Sequence, residues 1–206
     1  MGENKKSTSP SEMEPKELPD VPALQDEFTR DFIQSEEPVK EGYYPFKSGT
    51  NNFTMDFPED MIIIERGYSK GQNDGSEMME ISFLPEDIEV RDVLPTIMVH
   101  YYGFMSSEES SKESMSSRRK EELQFKSLGS DNEGKQYAEY ADFTVGPYPG
   151  MAALIWNDNN QQIQISASVV CKEGLSEEDC ERLAKPEKEK LLEIFRSIKL
   201  TAQEDE

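Results

Sequence analysis

Between Tyr137 and Val170 the chain reads as three consecutive strands joined by short turns. Tyr137–Val145 alternates polar and apolar residues, and Met151–Trp156 is apolar almost throughout. Gln162–Val170 alternates again, with Ile163, Ile165, Ala167 and Val169 on one face. Asn157-Asp158-Asn159-Asn160 is the turn between the last two strands, because Asn and Asp bond their own backbone and tolerate tight turns. Strand signals also lie upstream. Asn52–Phe57 places Phe53, Met55 and Phe57 on one face before Pro58, and Met61–Tyr68 reads as a β-branched and apolar strand. Gly71-Gln72-Asn73-Asp74-Gly75 turns the chain into Glu77–Leu84, which Pro85 stops, and a further strand covers about Thr96–Gly103.

Two helices interrupt or close this series. Ser106 with Glu109 has the capping-box spacing, and Glu108 with Lys112 forms an i, i+4 pair of opposite charge. These predict a helix to about Lys126, and its few apolar residues (Met115, Leu123, Phe125) predict that it lies largely in solvent. Ser176 caps the last helix, Pro186 breaks or restarts it, and Leu191, Leu192, Phe195 and Ile198 form its buried face. Strands, helix, meander, helix, with no βαβ alternation, is the order of an α+β domain: an antiparallel β-sheet flanked by helices, here over 38–203.

Ahead of it, residues 1–22 carry Pro10, Pro15 and Pro19 among Ser, Glu and Lys, and read as a disordered acidic tether. Leu24, Phe28 and Phe32 repeat every four residues, which predicts a short amphipathic helix over 23–37 that docks on the domain or recognises a partner. Residues 204–206 are an acidic tail. The formal charge of −21 disfavours nucleic-acid binding, which depends on Lys and Arg neutralising phosphates. Anionic membrane surfaces are disfavoured too, unless a covalent lipid supplies the attraction. No segment approaches the roughly 20 apolar residues of a membrane-spanning helix.

The chemistry is sparse. The single histidine, His100, sits within the strand Met98-Val99-His100-Tyr101-Tyr102, with no nucleophile-elbow pattern in the chain. Phosphate-cradling glycine loops are missing, and one His with two Cys falls short of a closed zinc site, so neither catalytic residues nor a metal or other cofactor is expected. Asp131-Asn132-Glu133-Gly134 and Asn157-Asp158-Asn159-Asn160 are read as polar turns rather than calcium loops. Cys171 ends a strand and Cys180 falls about one turn into the next helix, a spacing that can bring their Cα atoms within the roughly 4.4–6.8 Å of a disulfide. Tyr43, Tyr44, Tyr101, Tyr102 and Tyr148 stand near strand ends and are the candidate binding surface, since tyrosine favours interfaces.

Asn52-Phe53-Thr54-Met55-Asp56-Phe57-Pro58 with Met61-Ile62-Ile63-Ile64, and the closing Leu191-Leu192-Glu193-Ile194-Phe195-Arg196-Ser197-Ile198-Lys199-Leu200, resemble the PsbP-like superfamily. That group includes a photosystem II extrinsic protein, a nuclear Ran-binding protein and bacterial lipoproteins. The resemblance implies the same antiparallel sheet flanked by helices and says little about function. The opening Gly2-Glu3-Asn4-Lys5-Lys6-Ser7-Thr8-Ser9 resembles the segment after the lipidated cysteine of Gram-positive, Bacillus-type lipoproteins, with Met1 in the cysteine's place. The leading expectation is therefore a monomeric, non-enzymatic lipoprotein. It would be lipid-anchored on the extracytoplasmic face of a bacterial membrane and act as a binding or accessory module for an unidentified envelope protein or ligand. A cytoplasmic acidic adaptor and a carboxylate-based envelope hydrolase are the alternatives.

Overall fold

The computed structural model describes residues 9–130 and 135–201. It is an α+β fold in which all strand pairing is antiparallel. A small sheet is formed by β1 (Tyr43–Lys47), β2 (Phe53–Pro58) and the closing β11 (Lys199–Leu200), in the order β1-β2-β11. The large sheet contains β3 (Ile62–Ile63), β4 (Ser69–Lys70), β5 (Ser76–Ser82), β6 (Val93–Tyr102), β7 (Lys126–Ser130), β8 (Gln136–Val145), β9 (Tyr148–Asn157) and β10 (Gln162–Cys171). Its order is β3-β5-β6-β10-β9-β8-β7, with β4 also pairing β5.

The predicted meander is β8, β9 and β10. Gly146 adopts φ +60° in the two-residue connection that pairs Val145 with Tyr148, the left-handed geometry that matches strand twist in tight hairpins. The inward residues of β10 are the ones its alternation marked. Together with Met79, Ile81, Ile97, Val99, Tyr101, Met151, Ala153 and Ile155, they form one apolar face of the large sheet. Phe46, Phe53, Met55 and Phe57 of the small sheet close over that face, alongside α5 (Glu177–Ser197), which contributes Ala184, Leu191, Ile194 and Phe195. Met151–Trp156 is continuously apolar because both faces of β9 are covered.

Several elements depart from the sequence reading. The expected helix over 23–37 is two four-residue turns, α1 (Pro22–Gln25) and α2 (Glu27–Arg30). Asp26 between them is extended, and its carboxylate accepts the Thr29 N–H at 2.8 Å, so capping overrides the apolar repeat. The chain then straightens, Ile33 bridges Phe46, and Phe32 stacks on the Phe46 ring. The tether reading also needs correction for residues 9–22. Two 3-10 turns, Pro10–Glu12 and Pro15–Glu17, hug the domain, Leu18 is buried, and Gln25 Nε2 donates to the carbonyls of Pro15 and Pro19. Residues 1–8, the acidic tail and the Asp131–Gly134 turn lie outside the described residues.

Met61–Tyr68 is split by a 3-10 turn at Glu65–Gly67, and Pro85 starts a short helix, α3 (Pro85–Val90), as proline at the first helical position does. The middle helix is shorter than expected: α4 (Glu108–Arg119) is capped by Ser107, not Ser106, and ends where Lys120 turns left-handed at φ 56°. Lys112 pairs with Glu139 of β8, beneath the helix, at 2.7 Å rather than with Glu108. Pro186 does not break α5. It lies on the exposed side of the helix. Cys171, the last residue of β10, is disulfide-bonded to Cys180 of α5, with Cα atoms 5.8 Å apart.

One buried carboxylate ties the two sheets. Glu77 of β5 is 2% exposed and accepts the backbone N–H groups of Gly49 (2.8 Å) and Thr50 (3.0 Å) and the Thr50 hydroxyl (2.6 Å). Those donors belong to the β1–β2 turn. Burial and the Glu77 charge together raise the Tyr68 hydroxyl's pKa. Glu77→Gln turns an amide N–H₂ toward the same donors, and urea denaturation should show a loss of about 2–3 kcal/mol. A change below about 0.5 kcal/mol would mean that the contact is incidental.

Candidate functional site

The second face of the large sheet is only half covered. α4 lies over β8 and β9, where Met115 and the following Leu123 pack on Ala141, Phe143, Ala152, Leu154 and Trp156. Beyond β9 the outward positions turn polar, because β10 presents Gln162, Gln164, Ser166 and Ser168 on this face. The polar side of α4 meets them. The Ser111 hydroxyl donates to Gln162 Oε1 at 2.9 Å, Arg118 Nη2 donates to Gln164 Oε1, and Arg119 Nη2 donates to Ser166 Oγ. The Arg119 guanidinium also lies 4.2 Å from the centroid of the Phe143 ring.

Where α4 ends, a cavity of about 230 Å³ opens between its last turn and strands β6 and β10. Arg118 and Arg119 form one wall and Gln164 and His100 the floor, while Met98 and Met115 supply apolar surface. His100 and Gln164 are directly paired across β6 and β10, so the sheet register fixes their juxtaposition.

The electrostatics run against the rest of the chain. Among the described residues neither Arg118 nor Arg119 has a carboxylate partner, although the protein carries 43 acidic residues. Burial and the neighbouring Arg118 lower the Arg119 pKa, and the same two causes push the His100 pKa below its ordinary value. His100 Nδ1 is 3.4 Å from the Tyr102 hydroxyl, and the buried Nε2 has no hydrogen-bond partner. Two cationic forks, a neutral imidazole and an amide thus face one small cavity, an arrangement suited to holding an anion.

The predicted tyrosine surface does not form. Tyr44 is 4% exposed and Tyr101 is 1% exposed, because strand alternation turns both into the core; the Tyr101 hydroxyl accepts from Gln161 Nε2 at 3.0 Å. Tyr43 is on the small sheet, donating to Glu193 at 3.3 Å, with its pKa pushed up to about 12 by burial and the Glu193 charge. Tyr148 is half-buried at the start of β9. Tyr102 alone of the five stands beside the cavity, through His100. Arg118 and Arg119 escape a sequence reading because the serine-rich helix carrying them reads as a solvated surface; their adjacent cations at the end of an otherwise mixed helix are the available signal. Among the described residues no group of three or more His, Cys, Asp or Glu is placed to hold a metal ion.

Comparison with known proteins gives the following likenesses. A family model described as "Putative lipoprotein YvcA" matches residues 19–199. A Bacillus subtilis (strain 168) protein of the same description is 43% identical over 60 residues, which is 29% of this chain and 25% of that protein. The match therefore spans about a quarter of the relative's length. A crystal structure from Bacteroides thetaiotaomicron VPI-5482 aligns over 80% of this chain and 50% of its own, at 14% identity and a TM-score of 0.39.

The His100 environment has a direct pH consequence. Its folded-state pKa lies below the ordinary value of about 6.5, so the unfolded chain takes up the proton first. Stability contributed by the neutral ring is complete above about pH 6.5 and is lost as pH falls toward the folded value. Because His100 is the only histidine, an NMR titration of its ring protons gives a single curve. The midpoint should lie below 6.5; one at or above 6.5 would show that the ring is not desolvated beside Arg118.

Proposed function

Because the chain belongs to the YvcA lipoprotein family, we propose that it is a non-enzymatic binding module of the bacterial envelope, held by an N-terminal lipid at the extracytoplasmic face of the membrane. Its ligand site is the cavity under the C-terminal end of α4. The observation that carries the binding role is this cavity lined by two arginines that, among the described residues, have no carboxylate partner, on a strongly acidic protein.

The Cys171–Cys180 bridge supports the envelope location, because a disulfide suits an oxidising compartment; closing so short a loop contributes about 2–3 kcal/mol in the chain-entropy view. The PsbP-like character belongs to the same reading, supported by the Phe57-Pro58 end of β2 and by β11 returning from α5 to pair with Phe53 and Thr54.

Intact-mass and N-terminal mass spectrometry of the native protein, with membrane and soluble fractions kept apart, tests this. The expected species is an acylated cysteine directly before Gly2, in the membrane fraction, with the two inner cysteines lacking their thiol hydrogens. An unlipidated Met1 species in the soluble fraction with both thiols free would overturn the envelope assignment.

A further inference from the structure

Resting on the reading of the α4 cavity as a ligand site, we infer that its ligand is a small amphiphile: a carboxylate head on a short apolar body. The head group follows from the donors. Arg118 and Arg119 each spend one N–H on a neutral acceptor of β10, which leaves most of the five donors of each guanidinium free while fixing its direction. If these arginines served only to complement the helix dipole or to keep the surface soluble, they would extend into water or meet a carboxylate. Instead they reach across to the sheet and flank the cavity.

His100 lines the same cavity; its Nδ1 is 3.4 Å from the Tyr102 hydroxyl and its Nε2 is buried without a hydrogen-bond partner. A carboxylate held at Arg118 acts on the ring through its charge, as Arg118 itself does. The net charge of −21 does not oppose this at close range. At physiological ionic strength charges beyond about 8 Å are largely screened, and Arg118 and Arg119 are the charged groups that line the cavity.

The body of the ligand follows from the rest of the lining. Met98, Met115, Leu123 and Ala152 give an apolar wall, and methionine side chains adapt to flexible aliphatic chains. The volume of about 230 Å³ is below the roughly 300–1,000 Å³ of sites for drug-sized ligands, so the buried body is short. An inorganic anion leaves the apolar wall unused, and a neutral alcohol leaves both guanidiniums unpaired.

Binding also couples to the proton on His100. The groups facing the ring are Arg118 and Arg119 from α4, Tyr102 on its own strand, uncharged Gln164 from β10, and Met78 from β5 with Glu80 at the next outward position. An anion held at Arg118 stabilises the imidazolium, so the His100 midpoint rises when the site fills, and by linkage affinity rises at lower pH.

The test is calorimetric titration of the full chain with octanoate, 1-octanol and inorganic phosphate, with the His100 NMR signal followed in parallel. Octanoate should bind at least about tenfold more tightly than 1-octanol or phosphate and should raise the His100 midpoint. Arg118→Gln and Arg119→Gln should each weaken octanoate at least about tenfold while urea denaturation still shows a cooperative folded state. Equal binding of octanol and octanoate overturns the carboxylate head but leaves the cavity a ligand site. Tightest binding by phosphate overturns the apolar body. Octanoate binding that ignores both arginine variants and leaves His100 unmoved overturns the placement. No binding by any probe overturns the ligand class, and the N-terminal lipid is then judged on its own.

Discussion

A sheet this wide has two faces to cover, and the chain has apolar residues enough for little more than one. Its hydrophobic content is 34%, and most of that is committed between the large sheet, the small sheet and α5. What remains for the second face is a short helix with Met115 as its buried apolar residue, assisted by Leu123 just beyond it. Coverage therefore stops over β9, and β10 turns glutamines and serines outward where a wider helical layer would have required apolar residues. The cavity is the boundary between the covered and uncovered halves of this face.

The chemistry of the site follows from that boundary. α4 ends above polar strand positions, so its last turn bonds to Gln164 and Ser166 instead of packing on them. The same sheet register that sets Gln164 opposite His100 delivers a desolvated imidazole to the floor. A chain with nearly twice as many acidic as basic residues thus keeps two arginines, among the described residues, away from carboxylates beside a cavity between helix and sheet. Acidic proteins gain solubility from their charge. That gain does not account for an arginine pair aimed across a cavity.

Much of the sheet was legible because period-two alternation is local. Phe53, Met55 and Phe57, and the four inward residues of β10, kept the faces that their spacing assigned them. The Cys171–Cys180 approach was legible for the same reason, being set by one strand end, a short turn and a helix start. The misreadings occurred where two local signals competed or where a distant element decided. Asp26 served as a cap inside an apolar repeat, and Pro85 opened a helix as well as closing a strand. Tyr44 and Tyr101 have the parity of core residues, which residue type alone had hidden. The arginine site was illegible because its members come from α4, β6 and β10, and their meeting depends on which strands pair and how far α4 reaches.

If this half-covered face exists to hold an anionic ligand, the most direct observation is the ligand itself. Native mass spectrometry of the protein gently released from its own membranes should show a bound species of a few hundred daltons at most. It should carry a carboxylate and disappear in the Arg118→Gln, Arg119→Gln double variant prepared the same way. Protein that leaves the membrane empty, or that carries a neutral or cationic species in that cavity, would contradict the account.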